Sequence, residues 1–325
     1  MRRRRLGATG IELSVIGLGG AWVGHDPQDP AGVGRAQAVI AAAEESGVNW
    51  IDTSENYFDT GNEAVIGAAL RSMTDSFLVC SKVAPTALKS GGASGFRPEQ
   101  VRRACIDSLA RLGRDHLDLY LLHWPDRTGE VPLADTWGAM ADLVDDGHVR
   151  AIGLSNYDQE QIADCHTTRR VDVIQTGLSV VDYLGDREMI AWCGSEGIAV
   201  TIYEPLANGL LTDVPFHEVR DRWASSPWQD VTVYPELICL ENAEPMQRVT
   251  DGLRTIAQQL NLTIAHVALA WVLAQPGVSS ALVGSSNPDR VRSNATAGDL
   301  LLSEDALQKI DHELIPLTAQ FAPRN

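Results

Sequence analysis

Lysine is almost missing from this chain. It stands only at positions 82, 89 and 309 of 325 residues. Lysine and arginine together number 26 against 43 aspartates and glutamates, for a formal net charge of -17. A surface of that sign repels phosphate backbones and argues against a nucleic-acid partner. It leaves room for a small anionic cofactor in a local positive pocket. The scarcity also sharpens one position. Lys82 lies inside the apolar run Phe77-Leu78-Val79-Cys80-Ser81-Lys82-Val83. An unpaired ammonium there would be costly, so an anionic partner is expected.

Cysteine is sparse too. The five residues at 80, 105, 165, 193 and 239 form no C-x-x-C pair, and their number is odd. That usage suits a reduced, cytoplasmic protein, and no metal site is expected. No apolar run is long enough to span a bilayer, so no membrane association is expected. Residues 1–5 read Met-Arg-Arg-Arg-Arg with no apolar segment after them, so a signal peptide is not expected. A G-x-G-x-x-G turn is also missing. Gly17-Leu18-Gly19-Gly20 is too short for one, which counts against a doubly wound dinucleotide-binding sheet. No linker or low-complexity tract divides the chain, and a single domain over residues 1–325 is the expectation.

What is present is a repeat. The hydrophobic fraction is 44%, and apolar runs of strand length alternate with amphipathic stretches of helix length. Residues 2–6 and 11–15 flank Gly7-Ala8-Thr9-Gly10, a hairpin signal. Strands are expected near 15–18, 48–52, 77–82, 117–122, 149–153, 172–175, 198–202 and 279–283. Helices are expected near 34–46, 62–72, 98–112, 133–145, 158–167, 186–196, 246–260 and 288–297. Pro98 suits a first helical turn, and Gly47 and Gly113 suit helix ends. Such a run of βα units predicts an α/β fold, a (β/α)₈ TIM barrel with an N-terminal β-hairpin. Two segments fall outside the repeat. Residues 207–245, with Trp223, Trp228 and Tyr234, read as a long irregular loop after strand seven, at the rim where a lid or substrate wall would sit. Residues 262–275 read as an extra helix belonging to the core.

In such a barrel, function gathers at the C-terminal ends of the strands. Asp52, Lys82 and His123 close three successive strand-type runs, and Tyr57 follows Asp52 on a loop over the same rim. An acid, an ammonium, an imidazole and a phenol at one spot make a proton-transfer site. A free tyrosine titrates near 10, and Lys82 is expected to lower that value by stabilising the phenolate. Asp52 would keep Lys82 charged and placed. His123 would hydrogen-bond the reacting oxygen or relay the proton. The site suits protonation of a carbonyl oxygen as hydride reaches carbon. No side chain donates hydride, so a nicotinamide cofactor is implied.

These residues carry a resemblance to the aldo-keto reductase superfamily along essentially the whole chain. The matching stretches include L-G-A-T-G-I-E-L-S-V-I-G-L-G-G, D-T-S-E-N-Y, L-D-L-Y-L-L-H-W-P, I-G-L-S-N-Y, I-Y-E-P-L-A-N-G-L-L and V-G-S-S-N-P-D-R-V-R-S-N, in family order and spacing. The resemblance implies a (β/α)₈ barrel and NAD(P)H-dependent reduction of an aldehyde or ketone, sugar-like ones included, to an alcohol, or the reverse. It makes Tyr57 the general acid, with Asp52, Lys82 and His123 around it. It implies NADPH as cofactor, with NADH possible. Gly20, Ala21 and Asp52 belong to its cofactor pattern. Ser155, Asn156 and Gln175 match ligands of the nicotinamide carboxamide, and Tyr203 the ring that stacks on nicotinamide. Leu206, Gly209 and Leu210 match the pyrophosphate loop. Gly284, Ser285, Ser286, Arg290 and Asn294 match the adenosine end. Trp22, Phe58, Trp124 and the 207–245 insertion are expected to line the substrate pocket.

The chain departs from that pattern at three places. Phe58 follows Tyr57 where glycine is usual. Glu204 stands where serine is common beside the pyrophosphate. Gly284 or Ser286 occupies the position where a cation usually meets the 2′-phosphate, so Arg290 alone remains as its clamp. The partner expected is a small-molecule carbonyl or alcohol; the sequence assigns no oligomeric state. Two other readings compete. One is a nicotinamide-binding, redox-sensing or partner-docking module with little turnover, like the potassium-channel β-subunits that resemble this family. The other is a barrel lyase or isomerase that uses no cofactor.

Overall fold

The computed structural model describes residues 1–71, 73, 77–85, 95–181, 187–224 and 235–321. A short antiparallel hairpin comes first, β1 (Arg3–Arg5) against β2 (Glu12–Ser14), with Arg4 opposite Leu13. Gly7 and Gly10 take φ of 52° and 78° in its turn, a region open to glycine at little cost. Eight parallel strands then close on themselves. They are β3 (Ile16–Gly19), β4 (Trp50–Asp52), β5 (Leu78–Val83), β6 (Leu117–Leu122), β7 (Val149–Ser155), β8 (Val173–Gly177), β9 (Ala199–Tyr203) and β10 (Val278–Gly284), with β10 pairing back onto β3. The predicted (β/α)₈ barrel and N-terminal hairpin are both present.

The crossovers are helical. α1 (Pro30–Glu45), α2 (Gly61–Leu70), α3 (Pro98–Leu112), α4 (Leu133–Asp145), α5 (Gln159–Thr168) and α6 (Arg187–Ser195) follow β3 to β8 in turn. Pro98 opens α3 and Gly113 closes it at φ 66°, so the stop and start signals act as read. After β9 come α7 (Phe216–Ala224), α8 (Ala243–Leu260) and α9 (Ile264–Ala274). The expectation of an irregular stretch over 207–245 is therefore corrected. Val219 and Trp223 are buried on one face of α7, a helical spacing that the surrounding polar residues obscured. Trp228 and Tyr234 lie outside the described residues. α10 (Pro288–Thr296) and α11 (Glu304–Lys309) complete the set. α9 is core, as predicted: its Val267, Leu269, Trp271 and Val272 have no exposed surface.

One period decides where the site falls. In a strand, residues two apart share a face. Trp50, Cys80, Leu119, Leu121, Ala151, Val173, Ala199 and Leu282 pack together inside the barrel, and Leu6, Ile11 and Leu13 of the hairpin region join them from below. Trp50 anchors this layer. Its Nε1 donates to Ser14 O and Ser280 Oγ, each at 3.2 Å. Gly17 packs against its indole, where a Cβ would collide. Stepping by two from the core residues leads to Asp52, Lys82, His123, Ser155, Gln175, Tyr203 and Gly284 at the open, C-terminal mouth. The outward faces pack against the helices. Trp137 of α4 is fully buried there, and replacing such a side chain with alanine costs about 3–5 kcal/mol.

Candidate active site

Asp52 ends β4, Lys82 is the penultimate residue of β5, and His123 lies one residue beyond β6. Lys82 Nζ donates to Asp52 Oδ1 at 2.5 Å and to Thr53 O at 2.9 Å. The lysine side chain is 0% exposed and the aspartate 5%. The anionic partner expected for Lys82 is thus Asp52. The other carboxylate oxygen, Oδ2, accepts from Gln175 Nε2 at 2.9 Å. A buried ion pair is tolerable only when its remaining valences are met in this way. Burial alone would pull the Lys82 ammonium's pKa down. The charges of Asp52 and Tyr57 outweigh it, and the net direction is above ordinary lysine.

Tyr57 rides on the loop after β4. That loop is tied at several points. Thr53 Oγ1 donates to Asn62 Oδ1 at 2.6 Å, and Asn62 Nδ2 donates to Gly20 O and Gly24 O at 2.9 and 2.6 Å. Glu55 Oε1 accepts from Ala84 N at 3.0 Å. Phe58, Asp59 and Thr60 then follow with φ of 51°, 50° and 72°. Left-handed backbone costs non-glycine residues about 1 kcal/mol or more each, and such strain clusters at functional loops. The Phe58 ring stacks on His25, centroids 4.4 Å apart. The bend that glycine usually serves in the family is therefore made here by phenylalanine, held by an aromatic contact.

The Tyr57 ring centroid lies 5.2 Å from Lys82 Nζ and 5.7 Å from the His123 ring, edge-on at 70°. Burial pushes the phenol up, Lys82 pulls it down, and Asp52 raises it again; the net direction is above ordinary tyrosine. Lys82 exerts the pull expected of it, but desolvation wins, so the expected lowering is not the outcome. The phenol stays protonated at neutral pH. His123 is held well below ordinary histidine, first by burial and then by Lys82. Its imidazole is neutral. His123 Nδ1 lies 2.9 Å from Ser54 Oγ, a contact that sequence reading missed. Its one signal was a hydroxyl two residues after Asp52.

The residues expected at the cofactor are linked to this centre. Asn156, at φ 66°, donates through Nδ2 to His123 O at 2.9 Å and to Ser155 Oγ at 3.1 Å. Its Oδ1 accepts from Tyr203 OH at 2.7 Å. Asp158 caps α5, so Ser155 and Asn156 are not there as helix caps. The loop after β9 carries Glu204, Ala207, Asn208 and Gly209 at φ of 50°, 45°, 58° and 97°. The N–H groups of Ala207, Gly209 and Leu210 donate to Glu204 O, Leu206 O and Ala207 O at 2.9, 3.0 and 3.0 Å, which closes the turn on itself. A Cβ at Gly209 would meet nothing within 4 Å, so this backbone is open to a ligand. Leu210 is buried and Leu206 packs partly against the core, fixing the loop. Asn208 Nδ2 donates to Glu204 Oε2 at 3.3 Å.

Past β10, Gly284 is exposed, Ser285 Oγ accepts from Asn287 N at 3.1 Å, and Ser286 is exposed. α10 then presents Arg290, exposed, and Asn294, half-buried. Arg292 is tied to Glu45 and Asp289 at 3.1 and 3.2 Å. Among the described residues Arg290 forms no ion pair. Gly20 and Ala21 begin a 3₁₀ turn ending at Trp22, and a Cβ at Gly284 would lie 2.7 Å from Trp22 Cδ1. Trp22 is 43% exposed and meets Trp223 edge-on at 6.0 Å. Trp124 stacks beside His123 at 6.2 Å. The aromatic residues expected of the pocket thus flank the mouth, and α7 adds Trp223. The donor set suits a nicotinamide dinucleotide: amides beside a flat tyrosine ring, an open glycine loop, and a free-standing arginine at the far end.

Comparison with known proteins agrees with this geometry. The profile of the Aldo/keto reductase family matches residues 15–314. The NADH-specific methylglyoxal reductase of Escherichia coli K12 is 30% identical over 321 residues, 94% of this chain and 95% of that protein. A probable voltage-gated potassium channel subunit beta from Oryza sativa subsp. japonica is 27% identical over 330 residues, 96% of each chain. The structure of a glycerol dehydrogenase from Gluconobacter oxydans superposes with a TM-score of 0.80 at 25% identity, covering 99% of this chain and 97% of that one.

Proposed function

The chain belongs to the Aldo/keto reductase family and is an NAD(P)-dependent oxidoreductase of carbonyl compounds, and from that premise we propose that Tyr57, Lys82, Asp52 and His123 carry its proton transfer. The observation behind this reading is the buried Lys82–Asp52 pair, with Lys82 Nζ 5.2 Å from the Tyr57 ring. A bound nicotinamide supplies the hydride, which no side chain can give. Tyr57 holds the proton that the substrate oxygen receives. As that proton leaves, negative charge grows on the phenol beside an ammonium already in place, and such preorganised charge is worth most where water is excluded. Asp52 keeps Lys82 ionised and aimed. His123, neutral, orients the substrate oxygen through its outer nitrogen. In the reverse direction the same tyrosine takes the proton from the alcohol.

Ser155, Asn156 and Gln175 would hold the carboxamide of the cofactor, Tyr203 its ring, the 206–210 loop its pyrophosphate, and residues 284–294 its adenosine end. Gly20 and Ala21 would border it from the β3 side. Arg290 is the cation left to meet a 2′-phosphate, and the Escherichia coli relative is NADH-specific by name. We therefore assign both NADPH and NADH as cofactors, with Arg290 setting the preference. The same relative acts on methylglyoxal, and the Gluconobacter protein is a glycerol dehydrogenase. A small oxygenated carbonyl of about that size fits an aromatic mouth above a proton donor. A sensor with little turnover is not favoured, because the whole acid–base set is assembled.

The test is a titration of purified protein with each dinucleotide, followed by tryptophan quenching, beside turnover of small aldehydes and ketones. Binding of either cofactor with turnover that Tyr57→Phe removes is the expected result. Turnover that survives Tyr57→Phe contradicts the mechanism.

A further inference from the structure

The N-terminal end of the barrel carries a cavity that the chemistry does not use. It encloses about 750 Å³, the size of a small-molecule pocket. Arg2, Arg4 and Arg5 of the hairpin line it, and among the described lining residues there is no aspartate or glutamate. That is a local reversal in a chain with 43 acidic residues against 26 lysines and arginines. Arg4 Nη2 donates to Leu273 O at 2.9 Å, and Nη1 donates to Val278 O. Two of its five N–H groups are thereby engaged. Carbonyls meet a guanidinium's hydrogen bonds but carry no net charge. Leu273 lies in the last turn of α9, and a helix C-terminus supplies about half a negative charge. That offsets part of one guanidinium. Among the described residues neither Arg2 nor Arg4 forms a side-chain ion pair. Arg5 reaches Glu12 only at 3.8 Å and is 81% exposed, so water solvates it. Asp299 meets Arg2 through the backbone N–H at 3.0 Å. Arg4 is left as the charge with least compensation. Burial, and then the charge of Arg2, pull its pKa below ordinary arginine. A half-buried guanidinium beside a second one is stabilised by an anion that reaches both.

We propose that this cavity binds an aliphatic carboxylate, its head on Arg4 and Arg2 and its chain along Leu301, Leu302 and Leu307. A carboxylate matches the planar fork of a guanidinium, and three N–H groups of Arg4 are free to meet it. A bare anion would fill a small part of the 750 Å³ and leave the leucines against water. Leu301 is 80% exposed, and Leu302 and Leu307 are half-buried. A chain lying there covers apolar surface that the fold leaves open, and each methylene it buries adds affinity. The ligand bridges the hairpin, α9 and the 300–307 segment. It binds the folded chain and makes no bond to it, so its effect is on stability. The catalytic mouth is at the other end of the barrel, and the proposal does not depend on the cofactor or substrate assigned there.

The test uses the full-length protein with decanoate, decanol and inorganic phosphate as probes, read by isothermal titration and thermal melts. Decanoate is expected to bind and, at saturation, to raise Tm by about 2 °C or more. Decanol lacks the charge and phosphate lacks the chain, and each should bind about tenfold or more weakly. Shortening the acid to octanoate and hexanoate should weaken binding by up to about fourfold per methylene removed. Leu301→Asp changes an exposed side chain. It should leave turnover and the ligand-free Tm unchanged, and lower decanoate affinity about tenfold or more by setting a like charge at the cavity. Arg4→Met should abolish binding; where that variant fails to fold, Leu301→Asp carries the test. Decanoate binding that survives Leu301→Asp, or that NADPH or NADH displaces, would place the ligand at the catalytic mouth and overturn the proposal. Phosphate binding as tightly as decanoate would overturn it too, as would the absence of decanoate binding at millimolar concentration.

Discussion

At Lys82 two large energies nearly cancel. Burying the ammonium is costly, and Asp52, Thr53 O and the chain's own packing offset that cost. Removing one member exposes the imbalance. Lys82→Met leaves the Asp52 carboxylate buried and unpaired, a change of about 3–5 kcal/mol that a urea melt would read. Its loss of turnover would then be hard to separate from loss of fold. Tyr57→Phe avoids that difficulty. It removes one hydroxyl, should lower kcat by about 10²–10⁴-fold, and should leave cofactor titration unchanged. His123 gives a prediction in pH. Its folded pKa is depressed by burial and by Lys82, whereas the unfolded chain takes its proton near pH 6.5. The folded state therefore binds fewer protons, and stability is full above about pH 6.5 and falls as pH drops, by at most about 1.4 kcal/mol per unit for this one group. Urea midpoints measured at descending pH should show that slope, and His123→Asn should flatten it.

Elements were more legible than the contacts between them. Each expected strand matches an observed one because a parallel strand buried on both faces leaves a near-continuous apolar run. Asp52, Lys82 and His123 stood out because they end such runs. What the sequence hid was pairing across the barrel. Nothing local to Gln175 says that it donates to Asp52, 123 positions earlier. Ser54 looked like an ordinary loop hydroxyl until β6 brought His123 beside it. α7 was missed because its buried face is narrow. Glu63 was also invisible: a glutamate on α2 that is fully buried, accepting from Ser81 Oγ at 2.5 Å and from Arg111 Nε at 2.6 Å. This pair fastens α2 to α3 directly behind the strand that carries Lys82. Arg111→Met should therefore cost about 3–5 kcal/mol, because it strands a buried carboxylate, while Arg111→Lys should recover part of it. Thermal melts of the two variants would check this. Equal melting points would mean that the Glu63–Arg111 pair adds no net stability.

On the scale of the whole molecule the barrel has two unlike ends. At the N-terminal end Leu6, Ile11 and Leu13 plug the lumen. A cavity of about 750 Å³ opens beside them, lined in part by Arg2 and Arg4. Those arginines already donate to backbone carbonyls: Arg2 to Gly298 O and Leu300 O, Arg4 to Leu273 O and Val278 O. They tie the hairpin to the barrel, which places the cavity on the stabilising side of the fold and the chemistry at the other mouth. A cofactor approaching that mouth is an anion meeting a chain of net charge -17. The long-range field opposes its arrival, while Arg290 acts only at close range. Salt separates the two, since at about 0.1 M the screening length is near 10 Å, longer than a contact and shorter than the molecule. Raising ionic strength from very low values to that level should therefore speed association and lower KM for either dinucleotide, more for NADPH with its extra phosphate. Higher salt should then weaken NADPH selectively as the Arg290 contact is screened. Arg290→Ala should abolish the second phase and keep the first. Stopped-flow quenching across a salt series would show both phases, and a monotonic loss of affinity from the lowest salt upward would mean that the mouth is locally positive in spite of the net charge.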